Sequence, residues 1–321
     1  MKTDFQKRLA IVIPAFKADF LYETLNSIAN QTNKNFTVYI GDDNSPADLF
    51  SIIEPFTKVV DIKYKKFENN IGSKNLVKQW SRCIDLVGQE DWIWFFSDDD
   101  MMEKDCVDLF YKSLEIKKDS KIFHYNVTIV NDIGDIIKNA KIQKEDYPLY
   151  LDAQRFFYFL MKYKINCFAV EFIFNKKHFF RKGGFVDFDL AWGSDVATWT
   201  TLALESGIHT INGGRVFWRQ SSQNITPNKS ILVQKRKHYA TIEFINYLNQ
   251  LLNNKFCVKI MTQMRFLHQI SESSDILSTE EIKESIDFYL NKNKQYFFHY
   301  ILKALLPMIF LMIKIKKSLI K

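Results

Sequence analysis

Short apolar runs alternate with stretches of helical spacing along the first 130 residues. Residues 9–14 form a continuous apolar run closed by Pro14, residues 36–41 and the aromatic-rich 92–96 are further strand candidates of this kind, and residues 61–67, with Lys63, Lys65 and Lys66, are another strand candidate. Runs that are short and unbroken, rather than alternating, read as strands buried on both faces. Between them, residues 19–31 place Tyr22, Leu25, Ile28 and Ala29 on one helical face, with Asp19 as candidate N-cap. Residues 73–87 do the same through Leu76, Val77, Trp80 and Ile84. This alternation predicts an α/β fold with a mostly parallel, doubly wound central sheet flanked by helices. Downstream the pattern is mixed. Residues 121–130 predict a strand, 131–135 with Gly134 a hairpin turn, 152–163 a helix, 171–174 an extended segment and 195–205 a helix. Beyond Ser230 the chain turns helical and basic, with Lys235, Arg236 and Lys237 in a row. The expected organisation is a catalytic domain over residues 1–227 and a helical C-terminal extension over residues 228–321.

Composition narrows the partners. A chain of 321 residues, 47% hydrophobic and 25% charged, buries a sizeable core and is not a disordered polymer. Its net charge of +7 suits phosphate-bearing ligands or an anionic membrane surface. No basic run interleaved with aromatics occurs in the first 200 residues, so nucleic acid is not the expected partner. Cys83, Cys106, Cys167 and Cys257 lie far apart, without metal-ligand spacing, which points to a reducing compartment. The apolar run of residues 9–13 is too short for the core of a secretory signal, so a cytoplasmic location is expected. Residues 305–313 form a second apolar run, flanked by Lys303 and by Lys314, Lys316, Lys317 and Lys321. It falls short of the ~20 residues a bilayer span needs. A cationic apolar helix fits peripheral contact with the inner face of a membrane, and equally a last helix docked on the core.

Two acidic clusters carry the chemistry. Asp42 and Asp43 end the second strand, and Asp98, Asp99 and Asp100 end the fourth. In open α/β sheets ligands bind at these carboxyl ends. Three adjacent carboxylates repel in a crevice unless a cation compensates, and Mg²⁺ or Mn²⁺ matches their hard oxygens. The competing reading is an exposed acidic turn preceding a helix that begins near Lys104.

Five short motifs in order resemble family 2 glycosyltransferases. They are Ile11-Val12-Ile13-Pro14-Ala15-Phe16; Thr24-Leu25-Asn26-Ser27-Ile28 with Gln31-Thr32; Gly41-Asp42-Asp43-Asn44-Ser45; Asn70-Ile71-Gly72; and Phe96-Ser97-Asp98-Asp99-Asp100. The resemblance covers about residues 8–225. It implies a nucleotide-diphospho-sugar transferase fold, with a nucleotide-binding half over about residues 1–120 and an acceptor half over about 121–227. It implies inverting transfer from a nucleotide-sugar donor, usually a UDP-sugar, to a hydroxyl of a glycan or lipid-linked glycan, in surface polysaccharide or lipopolysaccharide assembly. The donor side would comprise Pro14, Ala15 and Phe16, whose ring packs on the base, and Asp42 or Asp43, of which Asp43 is favoured for the base edge. An ordinary Asx turn is the plainer reading of residues 42–45. Gly72 would open a helix whose N–H groups face the nucleotide. Where relatives carry Ala-Arg-Asn this chain has Val77-Lys78-Gln79, so an arginine's role is lost or passes to Lys74 or Lys78. Asp98 would meet the ribose and Asp99 the metal, with Asp98 and Asp100 as the other register; Asp99 and Asp100 are the metal candidates.

On the acceptor side, Gly183-Gly184-Phe185 followed by Ala191-Trp192-Gly193-Ser194-Asp195 resembles the family stretch that ends in an acidic pair. Ser194 stands where glutamate is usual, leaving Asp195 as the candidate general base, with Asp187 and Asp189 as rivals and a helix N-cap as the plain alternative. Arg215 and Arg219 could neutralise the departing diphosphate, and the stretch from Phe217 to Ile225 resembles a segment that closes over the ligands. Two other functions compete. A sugar-phosphate nucleotidyltransferase would need a glycine-rich loop after the first strand, which Pro14-Ala15-Phe16-Lys17 lacks. A non-catalytic nucleotide-sugar sensor would tolerate the missing glutamate.

Overall fold

The structure, a computed structural model, describes residues 8–139, 143–221, 230–253 and 255–292. The strands are β1 (Leu9–Ala15), β2 (Phe36–Asp42), β3 (Asp61–Lys66), β4 (Trp92–Phe95), β5 (Met101–Met102), β6 (Ile122–His124), β7 (Val127–Val130), β8 (Tyr150–Leu151), β9 (Phe172–Asn175), β10 (Ile208–Thr210) and β11 (Val216–Arg219). The helices are α1 (Leu21–Ala29), α2 (Leu49–Ile53), α3 (Leu76–Ile84), α4 (Cys106–Ile116), α5 (Ala153–Met161), α6 (Lys176–Arg181), α7 (Ser194–Ser206), α8 (Ile231–Leu251), α9 (Phe256–Ser273) and α10 (Thr279–Lys292). The chain forms two compact units: Met1–Asp187 with Ser194–Ser221, and Phe188–Gly193 with Ser222–Lys321.

The first unit is built on a sheet of order β3-β2-β1-β4-β9-β6-β10-β8. Leu9, Ile11 and Ile13 on one face of β1, and Ala10 and Val12 on the other, are all buried. Each large side chain so enclosed contributes about 1.5–3 kcal/mol, which is why the unbroken apolar run settles at the sheet centre. β3, β2, β1 and β4 run parallel. Beyond them the sheet is mixed, because β9 lies antiparallel to both β4 and β6. The register decides where the loops emerge. Leu9 pairs with Phe36 and with Trp92, and the β1–β2 ladder closes at Ala15 opposite Asp42. Residues 16–17, 43–45 and 96–98 therefore leave the sheet at the same carboxyl edge.

Three local expectations are corrected. Helix α1 begins at Leu21 with Phe20 at the N-cap and no side-chain cap, so Asp19 does not cap it. The helix after β3 begins at Leu76, where the Asn75 side chain accepts the Lys78 N–H at 2.8 Å, so Asn70-Ile71-Gly72 is a turn and not a helix start. Residues 121–130 are two strands in two sheets: β6 joins the main sheet, whereas β7 pairs with β11 in a small sheet of order β5-β11-β7. The turn at residues 131–135 is present, with Gly134 at φ 87° and its N–H donating to the Asn131 carbonyl at 3.0 Å.

The second unit contains α8, α9 and α10. His238 on α8 is buried between Ser273 of α9 (2.9 Å) and Ser285 of α10 (3.1 Å), and burial pulls its ring down to about 4, so it is neutral and ties three helices together. Trp192 donates its indole N–H to Thr241 at 3.1 Å, and the Lys237 ammonium lies 4.6 Å from the Trp192 ring centroid. No helix among the described residues is long and apolar enough to cross a membrane. The apolar run at residues 305–313 lies outside the described residues, as does most of the segment after Arg219.

Candidate active site

Hydrogen bonds across the carboxyl edge stitch three loops into one surface. The Asp43 N–H donates to the Ala15 carbonyl at 2.9 Å, and the Ser45 hydroxyl donates to the Phe16 carbonyl at 2.7 Å. The N–H groups of Phe16 and Lys17 both donate to one oxygen of Asp98, each at 2.8 Å. This seam buries Ala15, half-buries Pro14 and leaves the Phe16 ring 42% exposed, an unusual position for a phenylalanine so close to the core.

The paired aspartates after β2 divide their duties. Asp42 is fully buried; its carboxylate accepts the Ser45 N–H at 2.7 Å and the Tyr64 hydroxyl at 2.6 Å, so it closes the turn, as the Asx reading expects. Asp43 accepts N–H bonds from Ile71 at 2.9 Å and Gly72 at 2.8 Å, and pairs with the Arg82 guanidinium. Gly72 is required here: a Cβ would stand 2.5 Å from the Asp43 carboxylate. The N–H groups expected to face the nucleotide, those of Ile71 and Gly72, donate to Asp43. Lys74 and Lys78 are exposed, and Arg82, further along α3, supplies the cation. Its guanidinium lies 3.8 Å from the Phe67 ring centroid and donates to the Asn69 carbonyl at 2.9 Å. Sequence reasoning missed Arg82; the available signal was its i,i+3 spacing from Gln79, which is buried and donates to the Gly41 carbonyl at 3.1 Å.

The three aspartates after β4 are each at most 4% exposed, and each is held differently. Asp98 anchors the Phe16–Lys17 backbone. Asp100 accepts the Arg219 N–H at 2.8 Å. Asp99 is held by two side chains, the Ser97 hydroxyl and the Lys17 ammonium, and that ammonium also lies 3.6 Å from Asp98. Burial pushes the Asp98 carboxyl up despite the Lys17 charge, and burial with the Asp99 charge pushes Asp100 well up. For Lys17, burial acts downward but the Asp98 and Asp99 charges outweigh it, leaving the ammonium above its ordinary range. Lys17 was not singled out in the sequence, because its partners lie more than 80 positions away. Among the described residues, no three His, Cys, Asp or Glu side chains converge as a ready-made metal site.

Both arginines expected at the diphosphate have partners within the protein. Arg219 is fully buried; its guanidinium donates to the carbonyls of Asp99 (2.9 Å) and Asp132 (2.6 Å), pairs with Glu23 and lies over the Phe20 ring. Burial of a guanidinium requires such a full set of acceptors, which leaves this one a clamp between β11 and the aspartate loop. Arg215 is forked onto Asp146 at 2.7 and 2.9 Å and also donates to Thr128.

Asp195 sits one residue inside α7, so it is not the N-cap. It is partly buried, accepts the Val196 N–H at 2.8 Å and has no ion pair among the described residues. Burial pushes its carboxyl up to about 6, and it lies within electrostatic reach of Glu171, Tyr147 and Cys167. Of the rivals, exposed Asp187 accepts the Asn75 side-chain amide at 2.9 Å, and Asp189 pairs with Arg236 inside the second unit. A separate groove of about 620 Å³, beside α4 and the β8–β10 edge, includes Phe123, Leu149, Tyr150 and His209 and none of the candidate residues.

The seam and both acid clusters lie within residues 10–179, which match the family described as glycosyl transferase family 2. The chain belongs to that family. This family 2 glycosyltransferase is 28% identical, over 137 residues and 41% of its length, to an uncharacterized glycosyltransferase of Rickettsia conorii. The matched part is 21% of that relative, so the chain spans about a fifth of the curated relatives it matches. Its fold is similar to that of S. aureus TarS 1–349 in complex with UDP-GlcNAc, with a TM-score of 0.66 at 14% identity over 88% of this chain and 80% of that one. It is also similar to the mannosyltransferase PcManGT from Pyrobaculum calidifontis in complex with GDP-Man and Mn²⁺, with a TM-score of 0.52 at 11% identity over 98% and 88% of the two chains. Likeness at these identities establishes the fold, a mixed α/β sheet with helices on its faces.

Proposed function

We propose that this glycosyltransferase moves a sugar from a nucleotide-diphosphate donor, a UDP-sugar, to a hydroxyl of a glycan acceptor with inversion. The observation that carries the reading is the stitched carboxyl edge, where an exposed Phe16 ring, Asp43 and the three aspartates meet. Phe16 stacks on the base and Asp43, held by Arg82, reads its edge. The UDP-GlcNAc bound to TarS supports a uridine donor. The acceptor hydroxyl gives its proton to Asp195 as its oxygen attacks the anomeric carbon, and the bond from that carbon to the diphosphate breaks. A carboxyl brought to about 6 suits that task near neutral pH.

The donor set also fits a hard divalent cation, Mg²⁺ or Mn²⁺, as the Mn²⁺ in the PcManGT complex supports. Asp99 is the first candidate, because side-chain rotation of Ser97 and Lys17 releases it, whereas Asp98 and Asp100 are anchored by backbone N–H groups. Asp100 is the second. Such ions take one or two carboxylates plus phosphate oxygens, so a three-ligand protein cage is not required. Bound there, the ion would offset charge on the leaving diphosphate.

A lipid-linked acceptor on an anionic membrane face fits the charge distribution. Residues 222–321 carry 15 Lys and Arg against 7 Asp and Glu, whereas residues 1–221 carry 29 against 30. The basic excess of the whole chain thus lies outside the family 2 region. Surface polysaccharide or lipopolysaccharide assembly is the setting this supports.

A thermal-shift panel of nucleotide sugars tests the donor. UDP-sugars with MnCl₂ should raise stability by about 2.7 kcal/mol at a hundredfold excess over Kd, and a chelator should shrink the shift and abolish transfer. No shift with any nucleotide sugar would overturn the donor reading, and full transfer in chelator would overturn the metal.

A further inference from the structure

We infer that Lys17 is the resident counter-cation of the aspartate cluster, displaced when a divalent ion takes Asp99 and then free to meet the donor's diphosphate. This rests on the metal-assisted reading above. Three carboxylates, each at most 4% exposed, share one loop, and a cation close by relieves their repulsion. Arg219 is committed elsewhere: its guanidinium faces the carbonyls of Asp99 and Asp132 and the Glu23 carboxylate, and its backbone N–H serves Asp100. The Lys17 ammonium alone contacts two of the three, touching Asp99 and lying 3.6 Å from Asp98.

The way Lys17 is mounted makes displacement mechanically simple. Its backbone N–H is fixed to Asp98 at 2.8 Å, so the main chain stays while the flexible four-carbon stem swings. The side chain remains 24% exposed, which gives the ammonium an open side to swing toward. The neighbouring residue is Phe16, so the same short loop presents both the exposed ring and the movable charge. An ammonium and a divalent ion on one Asp99 oxygen repel each other, and the two states are mutually exclusive. Metal binding to the free enzyme is therefore opposed by Lys17. The diphosphate relieves that opposition by giving the displaced ammonium an acceptor, and metal and nucleotide binding become positively coupled.

The test measures Mn²⁺ affinity of the full chain by the EPR signal of free Mn²⁺, with and without UDP, for wild type, Lys17→Met and Lys17→Gln. Circular dichroism of each protein checks folding, and the two replacements guard against one failing to fold. Both variants should bind Mn²⁺ alone about tenfold more tightly than wild type, and the factor by which UDP tightens Mn²⁺ should shrink in both. Equal Mn²⁺ affinities in all three proteins would overturn the role of Lys17 while leaving the metal site standing. No Mn²⁺ binding by any of them, even with UDP, would overturn the metal site and the Lys17 role with it.

Discussion

Asp43 and Asp195 are both aspartates of the first unit, and their surroundings differ in kind. Asp43 is nearly fully buried, accepts two backbone N–H bonds and is paired with Arg82. Asp195 is partly buried, accepts the N–H of its own neighbour and is pushed up to about 6. Donors aimed at the Asp43 carboxylate fix the side chain in place, whereas burial with few donors pushes the Asp195 carboxyl up. In the proposed reaction Asp43 therefore belongs to a fixed platform for binding, and the carboxyl on α7, brought to about 6, takes the proton. That division follows from two local facts: three loops emerge at one sheet edge, while α7 begins with few groups available to Asp195.

The difference is broken most severely at Asp195. Asp195→Asn keeps the shape but cannot take a proton, and turnover should fall about 10²–10⁴-fold. UDP affinity, measured by calorimetry, should stay within about threefold of wild type, since the nucleotide platform lies elsewhere. Loss of both properties would return Asp195 to a structural role. Arg82→Ala strikes the other side. With Asp43 left without its guanidinium partner, UDP affinity should weaken about 10- to 50-fold, and turnover at saturating donor should change far less. Unchanged UDP affinity would remove Arg82 and Asp43 from the base site.

The smallest expected effect concerns stability. The folded Asp195 carboxyl titrates near 6, above its ordinary value of 3.8, so its contribution is fully present below the lower value and is lost as pH rises through the upper one. Above pH 6 the fold carries an unfavourable charge. Asp195→Asn should then be more stable than wild type by roughly 1–2 kcal/mol at pH 7.5, discounted for partial exposure, with the gain vanishing toward pH 4. Urea unfolding at the two pH values measures it, and a variant less stable at pH 7.5 would contradict the burial argument.

Much of this was legible in the sequence where a local pattern carries the structure. The run ending at Pro14 became β1, and the acidic clusters fell at strand ends because strand periodicity fixes where loops emerge. Sheet membership was not legible: residues 121–130 read as one strand candidate, and nothing local says that the chain changes sheets at Tyr125 and Asn126. The roles of cations were not legible either. Arg219 sits next to a plausible ligand segment but turns inward, since Asp100 and the Asp132 carbonyl are brought to it by the β5-β11-β7 sheet. Lys17 and Arg82 find their carboxylates 82 and 39 residues away. Side-chain partnership at such separations is a property of the fold, which a single sequence does not spell out.

The pH dependence of kcat with saturating UDP-sugar and Mn²⁺, in wild type and Asp195→Asn, tests the central claim most directly. A general base that must be ionised gives a rate that rises with pH and levels off above its own pKa. The wild-type profile should climb tenfold per pH unit below about 6 and flatten above it, and the residual rate of Asp195→Asn should lack that limb. A wild-type profile that is flat from pH 5 to 8, or a limb that survives in Asp195→Asn, would contradict the assignment of Asp195 as the base.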